Sequence, residues 1–432
     1  MRIVMMTNTY LPFVGGVSHS VNAVAKALRG RGHTVLVVAP EYGEHAAPPP
    51  EDEGDVLRIA ATQKLTKGAF AVSLGMQSDV IDKVRRAKPD IIHSHHPFLL
   101  GDTALRAAAA LDVPLLFTYH TRYEYYTHYL RRNSSTMKRL AIEIATRYCN
   151  MVDQVIAPSE SIERLLAERG VVRPVEVIPT GIDAERFASG DGRRFRRRHC
   201  IREDSFVVGH VGRLAPEKNC RFMADAVAAF SSQHPEALFL LVGDGSEKEA
   251  VRAVFDKAGL PHHLLPTGAL TGQDLVDAYH AMDVFVFASK TETQGMVLAE
   301  AMSAGVPVVS LDAPGSREVL RDEENGRLVS KEGVEGFVEA LHWVRQQAPD
   351  GREALHRACL ETAAEFAEDK SVDRIENLYQ RLHSGRTPDA DGTNAILSTL
   401  ASRIEREWDI WSNRVSAIQA LLREEGVDLD EK

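Results

Sequence analysis

Cysteine is scarce in this chain. There are four in 432 residues, Cys149, Cys200, Cys220 and Cys359, and none stands at C-x-x-C spacing from another. That excludes a disulfide framework and a cysteine-built zinc site, and it suits a reducing compartment. Basic charge is not in excess either. The formal net charge is −10, so no global basic field exists to draw nucleic acid, and no nucleic-acid partner is expected. Long apolar runs are missing: none approaches the roughly 20 residues needed to span a bilayer, which leaves any membrane contact peripheral. The opening MRIVMMTNTY lacks the long apolar stretch and cleavage site of a signal peptide and reads as a buried strand, so a cytoplasmic location is expected. At 44% hydrophobic and 26% charged, the chain can bury a sizeable core, and composition excludes disorder and collagen-like structure. Its length is too great for one ordinary domain and comfortable for two.

Short apolar runs alternate with helical periodicity along the chain, the pattern of an α/β protein. Residues 3–6 predict a first buried strand, and Val17, Val21, Val24 and Leu28 then fall on one helical face that Gly30 and Gly32 close. Further strands are expected at 35–39, 91–93, 115–118, 155–157 and 175–178. The pattern breaks over the polar, glycine-containing stretch 180–198 and restarts with strands at 206–211, 238–242, 263–266, 284–288 and 306–310. This predicts two doubly wound Rossmann-like domains, 1–185 and 190–365, with 366–384 packing back on the first. In such sheets ligands lie beyond the carboxyl ends of the strands, so the expectation is a cleft faced by both domains. Residues 385–394 read as a linker. Over 395–425, Leu397, Leu400, Ile404, Trp408, Trp411, Val415, Ile418 and Leu422 recur every three or four residues, an amphipathic helix. Its seam calls for a partner: the parent domain, a membrane, or a second copy in a homo-oligomer.

Three groups of residues carry chemistry. Gly15 and Gly16 stand directly before a helix start, where backbone N–H groups can face an anion, although a Gly-Gly pair also serves as a plain tight turn. No G-x-G-x-x-G accompanies them, which disfavours a dinucleotide cofactor. The strand at 206–211 runs into G-R-L-A-P-E-K-N, so Arg213 and Lys218 follow a strand's carboxyl end. A planar fork and a point charge together suit a diphosphate; the bland alternative is a pair of solvated cations. After the strand at 284–288, Glu292 and Glu300 bracket a helix start at Gly295, with Met296 and Val297 in its first turn. That helix N-terminus can hold a phosphate. Glu300, two turns along, can accept hydrogen bonds from a ribose, and Glu292 can reach sugar hydroxyls.

Taken together, Gly15-Gly16, G-R-x4-K and E-x7-E resemble the retaining glycosyltransferases of family four, with the GT-B fold, over roughly residues 1–383. The resemblance implies a hexosyltransferase in which Arg213 and Lys218 hold the donor diphosphate, Glu300 the ribose and Glu292 the transferred sugar. It adds phosphate contacts from the amides near Gly295, Met296 and Val297, base contacts near Leu270, and His120 of T-Y-H-T beside the sugar. The implied substrate is a nucleotide sugar, UDP-glucose first, with no further cofactor. The run HSHH at 93–96 invites a metal reading, but no carboxylate or cysteine follows at ligand spacing and no D-x-D falls at a strand end, so no metal is expected.

The segment 118–129 is rich in tyrosine, including Tyr123 and Tyr126, and Arg131, Arg132, Lys138, Arg139 and Arg147 follow it among Leu140, Ile142 and Ile144. One reading is an ordinary solvated helix. The other is a basic amphipathic surface that docks on anionic lipid. The run T-Y-H-T-x-Y-x-x-Y resembles bacterial diacylglycerol glucosyltransferases, which implies a lipid acceptor and a peripheral place on the inner face of the membrane. The cluster Arg193, Arg194, Arg196, Arg197 and Arg198 reads as a solvated linker helix. Competing functions are mannosyl transfer to phosphatidylinositol, transfer to a soluble or polysaccharide acceptor, nucleotide-sugar 2-epimerisation, and a non-catalytic nucleotide-sugar-binding scaffold.

Overall fold

The computed structural model describes residues 1–13, 15–42, 55–62, 72–73, 77–125 and 135–385. Tyr126, Arg131 and Arg132, most of the expected 385–394 linker and the expected helix at 395–425 lie outside the described residues. The chain divides into two compact units, Met1–Pro179 with the chain from Ser371 onward, and Thr180–Lys370.

The first unit runs β1 (Arg2–Met6), α1 (Gly16–Gly30), β2 (Thr34–Pro40), β3 (Val56–Ile59), β4 (Ala61–Thr62), β5 (Val72–Ser73), α2 (Gln77–Ala87), β6 (Ile91–Ser94), α3 (Leu100–Leu111), β7 (Leu115–Thr118), α4 (Ser135–Met151), β8 (Gln154–Ala157), α5 (Glu160–Glu168) and β9 (Val175–Val177). Seven of these strands form one parallel sheet in the order β3-β2-β1-β6-β7-β8-β9, while β4 and β5 make a small antiparallel pair. Both faces are covered, which is why its central strands are mostly apolar. Ile3 and Met5 of β1 pack with Val21 and Leu28 of α1, and Val4 and Met6 pack on the other face with Ile92, Phe117 and Tyr148.

The second unit opens with α6 (Ala184–Ala188) and α7 (Gly192–Arg198). It continues with β10 (Phe206–Val211), α8 (Cys220–Gln233), β11 (Ala237–Val242), α9 (Lys248–Lys257), β12 (Leu264–Gly268), α10 (Gly272–His280), β13 (Val284–Phe287), α11 (Met296–Ser303), β14 (Val308–Leu311), β15 (Gly326–Val329), α12 (Val334–Arg345) and α13 (Pro349–Glu365). Its parallel sheet has the order β12-β11-β10-β13-β14-β15. Val207, Leu240 and Phe285 face one core layer, and Val208, Phe239 and Val284 the other. The last described helix, α14 (Glu368–Ser384), carries the chain back, and its Val372, Ile375, Leu378 and Tyr379 bury beside α1 in the first unit.

In each sheet the chain starts at a central strand, proceeds to one edge, and then crosses to the other side. The crossing points lie between β1 and β6 and between β10 and β13. At such a switch the flanking connections diverge to opposite faces and leave a crevice beyond the carboxyl ends of the strands. The α/β, GT-B-type architecture expected above is therefore present. Strands β3 and β15, absent from the expectation, are edge strands paired on one side only. Their half-exposed positions admit Arg58 and Arg327, so neither shows a continuous apolar run.

The polar stretch 180–198 folds as α6 and α7, which pack against α10. Asp191 caps α7 by accepting from the Arg194 amide at 2.8 Å. Asp277 of α10, 2% exposed, accepts from the Asp191 amide (2.9 Å), Arg194 Nε (2.6 Å) and Gln273 Nε2 (3.0 Å). Burial acts to raise the Asp277 pKa, but these donors outweigh it and hold the carboxyl below its ordinary value. Arg196 donates to Asp283, Ala281 O and Ser205 O. Three of the arginines in this run, Arg194, Arg196 and Arg198, are thus engaged with acidic side chains. Replacing Asp277 by alanine orphans several donors at once and is expected to cost about 2–3 kcal/mol, measured by urea denaturation. An unchanged midpoint would show that α7 is held by other means.

Candidate active site

Two adjacent loops of the second unit carry the strand-end residues. The first leaves β10 through Gly212 and Arg213 and ends in a 3-10 turn, Pro216–Lys218, ahead of α8. The second leaves β13 and runs through Ser289 and Glu292 to Gly295, the N-cap of α11. Because β10 and β13 are neighbours in the sheet, the loops meet. Ser289 Oγ donates to Glu217 O at 3.2 Å, and Lys218 Nζ forms an ion pair with Glu292 Oε1. Arg213 pairs with Glu217 at 2.6 Å. Burial acts to raise the Glu292 pKa; the Lys218 ammonium, a Ser289 hydrogen bond and the Arg213 charge override it and keep the carboxyl below its usual value.

Gly295 adopts φ 73°, a left-handed conformation that favours glycine, and no side chain caps the helix it starts. The first amides of α11, from Met296 onward, therefore stand at an uncapped N-terminus with its partial positive charge. Two residues that carry no motif signature hold this turn. Gln294, 3% exposed, grips both backbone groups of Thr180: its Nε2 donates to Thr180 O at 2.8 Å, and its Oε1 accepts from the Thr180 amide at 2.6 Å. Gly315 lies so close that an added Cβ would come within 2.8 Å of Glu292 Cβ. Glu300, on α11, accepts from Tyr279 Oη of α10 at 2.6 Å. Leu270 is half-buried against the core two residues beyond Gly268. Beneath the loops, His210 Nδ1 donates to Val286 O at 3.0 Å.

In the first unit, the candidate residues gather at the carboxyl ends of β1, β6 and β7. Gly15 caps α1 without a side-chain bond in an extended conformation, φ −170°, that any residue can adopt. The pair is thus not required by a left-handed backbone. A Cβ at Gly15 would meet the Phe13 ring at 3.0 Å, and at Gly16 it would meet nothing within 4 Å. The histidines form a buried polar floor. His93 bonds Tyr379 Oη (2.6 Å) and Thr118 Oγ1 (2.7 Å), His95 Nδ1 lies 3.0 Å from His120 Nε2, and the Asn8 amide donates to His96 Nδ1 at 3.1 Å. Tyr123 packs edge-on against Phe98 and Tyr119. The turn it occupies is anchored by the buried Glu124, which accepts from Arg169 (2.6 Å) and Arg122 (3.1 Å). Lys138 and Arg139 are exposed on α4, whereas Arg147 pairs with Glu143 on its own helix. Among the described residues, no group of three or more His, Cys, Asp and Glu side chains is placed to hold a metal, and no helix is long and apolar enough to cross a membrane.

Burial pushes the imidazoles down, His93 and His96 to about 3 and His120 and His210 to about 4. Their folded pKa values lie below the ordinary 6.5, so below that pH the unfolded chain binds more protons than the native one. The stability that comes from keeping them neutral is complete above about pH 7 and declines as pH falls from about 6.5 toward 4, by up to ~1.4 kcal/mol per pH unit for each ring. Chemical denaturation at pH 7 and pH 5 should show a clear loss at the lower pH. Equal midpoints would contradict the burial of these rings.

Sequence comparison gives the family of the chain. Residues 14–186 match the family model described as Glycosyltransferase Family 4, and residues 191–359 match the one described as Glycosyl transferases group 1. The chain is 28% identical to an alpha-monoglucosyldiacylglycerol synthase from Acholeplasma laidlawii, over 88% of this chain and 96% of that one. It is 31% identical to a GDP-mannose-dependent alpha-mannosyltransferase from Mycolicibacterium smegmatis, over 78% and 86%. Among solved structures, Anabaena HepE in complex with UDP and glucose superposes with a TM-score of 0.72 at 20% identity, covering 88% of this chain and 100% of that one, a likeness of fold. The chain belongs to glycosyltransferase family 4 and is a hexosyltransferase with the GT-B fold.

Proposed function

We propose that this enzyme moves a hexose, glucose in the leading reading, from a nucleotide sugar such as UDP-glucose to a lipid hydroxyl such as that of diacylglycerol, at an anionic membrane surface. The observation that carries the donor half is the meeting of Arg213, Lys218, Glu292 and the uncapped start of α11 on neighbouring strand-end loops. Breaking the bond between the anomeric carbon and the leaving oxygen puts negative charge on the diphosphate. Arg213, Lys218 and the amides of Gly295, Met296 and Val297 are the groups suited to receive it. In this reading Lys218 exchanges Glu292 for phosphate, and the released carboxylate turns to the sugar hydroxyls. Glu300 takes the ribose, and the backbone at Leu270 the base. Gly15 and Gly16 are assigned to donor binding and His120 to the transferred sugar. The acceptor oxygen attacks the anomeric carbon from the leaving-group face, its proton passes to a phosphate oxygen, and configuration is retained. No step calls for a metal.

The lipid half is supported by the similarity to the Acholeplasma synthase over nearly its whole length and by Lys138 and Arg139, exposed on α4 beside the half-buried Leu140, Ile142 and Ile144. The mannosyltransferase relative favours a second reading, mannose from GDP-mannose. A panel of UDP-glucose, UDP-galactose and GDP-mannose against diacylglycerol, phosphatidylinositol and water-soluble acceptors decides between them. Transfer only to a soluble acceptor would overturn the lipid reading, and epimer formation or binding without turnover would overturn the transfer reading.

Two outcomes are expected beyond the panel. In Lys218→Ala protein whose fold is verified by its thermal midpoint, transfer should fall by on the order of a hundredfold or more, since one charged receptor of the leaving group is gone. Near-normal turnover would sink the diphosphate assignment. In vesicle flotation, binding to anionic vesicles should weaken as salt rises, and Lys138→Glu with Arg139→Glu should weaken it by about tenfold or more. Equal affinity for neutral vesicles would favour a solvated helix.

A further inference from the structure

Tyr279 is among the largest fully buried side chains of the protein. Its ring is fixed edge-on against Phe187 at 5.5 Å and tilted against Phe285 at 5.9 Å, so its hydroxyl has little freedom of direction. That hydroxyl sits 2.6 Å from Glu300 Oε2. A phenol has one proton to give and a carboxylate only accepts, so Tyr279 donates. Burial and the Glu300 charge keep Tyr279 protonated far above its ordinary range, which makes it a donor at every pH the enzyme meets. Glu300 itself is raised by burial, opposed by the Tyr279 hydrogen bond and by the Arg186 charge from α6. A carboxylate in this setting gains ionisation and a fixed direction from a single buried donor.

We propose that Tyr279 is the positioning residue for nucleoside recognition: it occupies one side of Glu300 Oε2, fixes the carboxylate, and leaves Oε1 and the remaining lone pair of Oε2 to accept hydrogen bonds from the vicinal hydroxyls of a ribose. The inference rests on the reading of Glu300 as the ribose carboxylate. Tyr279 then determines selectivity for ribonucleotides over deoxyribonucleotides without touching either. A site built to accept from a hydroxyl discriminates strongly against the analogue that lacks it, but only while its acceptor is held in place.

The test is calorimetric titration of the full chain with UDP, GDP and their 2′-deoxy counterparts, for the wild type, Tyr279→Phe, Glu300→Gln and the double variant. The wild type should bind the ribonucleotide of the preferred base about tenfold tighter than its 2′-deoxy form. Tyr279→Phe should weaken the ribonucleotide by about tenfold and the deoxynucleotide by less than about twofold, with kcat at saturating donor nearly unchanged. In the Glu300→Gln background, adding Tyr279→Phe should change neither affinity. An equal loss for both nucleotides, or a further loss in the Glu300→Gln background, would assign Tyr279 a merely structural role and overturn the inference. A wild type that does not discriminate, together with a harmless Glu300→Gln, would instead remove the ribose reading of Glu300, and the inference with it. Thermal midpoints of the four proteins separate loss of binding from loss of fold.

Discussion

The ion pair between Lys218 and Glu292 ties the loops after β10 and β13 into one piece. Neither residue could be so enclosed alone, because desolvating a single charge costs several kcal/mol unless a partner stands beside it. The pair is possible only because β10 and β13 are neighbours at the place where the sheet reverses its strand order. Arg213 with Glu217, and Ser289 with the Glu217 carbonyl, complete the junction. Lys218, Glu292, Arg213 and Glu217 together carry no net charge, so the cluster is self-contained until an anion competes for its cations. That is the setting in which a diphosphate displaces carboxylates and frees one of them for the sugar, as proposed above.

The first unit meets the same problem with different chemistry. Its strand ends present His93, His95, His96 and His120, all held neutral by burial and bonded to Tyr379, Thr118, Asn8 or one another. Uncharged imidazoles offer directional donors and acceptors without the desolvation cost of ions. Such a floor suits hydroxyl groups better than phosphates, whereas the ionic cluster of the second unit suits phosphates. Tyr379 comes from α14, so the polar floor of the first unit is completed by the last described helix of the chain.

The architecture was legible because parallel strands covered on both faces must be apolar throughout, and runs such as VLVVA, IIH and LFLLV can do little else. The edge strands β3 and β15 escaped for the complementary reason: one side is unpaired, so Arg58 and Arg327 are tolerated there. The stretch 180–198 read as a linker with a solvated helix at its arginines, because its two helices are short and its arginines numerous. Yet Arg194 and Arg196 serve as hydrogen-bond donors to α10 and to the segment behind it, and no local pattern distinguishes such an arginine from one without a partner.

The sequence by itself determined where most of the strands lie and which candidate residues follow them. Gly15, Arg213, Lys218, Glu292 and Glu300 are each placed by a short local signal, an apolar run followed by a turn or a helix start. Only the tertiary structure decided what these residues touch. Lys218 meets Glu292 across 74 positions, Gln294 grips Thr180 across 114, His93 reaches Tyr379 across 286, and Glu300 is held by Tyr279 from another helix. Local signals arise from backbone geometry and solvent periodicity within a few residues. Hydrogen-bond partners over such distances depend on strand order and helix packing, and these come into being only when the sheets assemble.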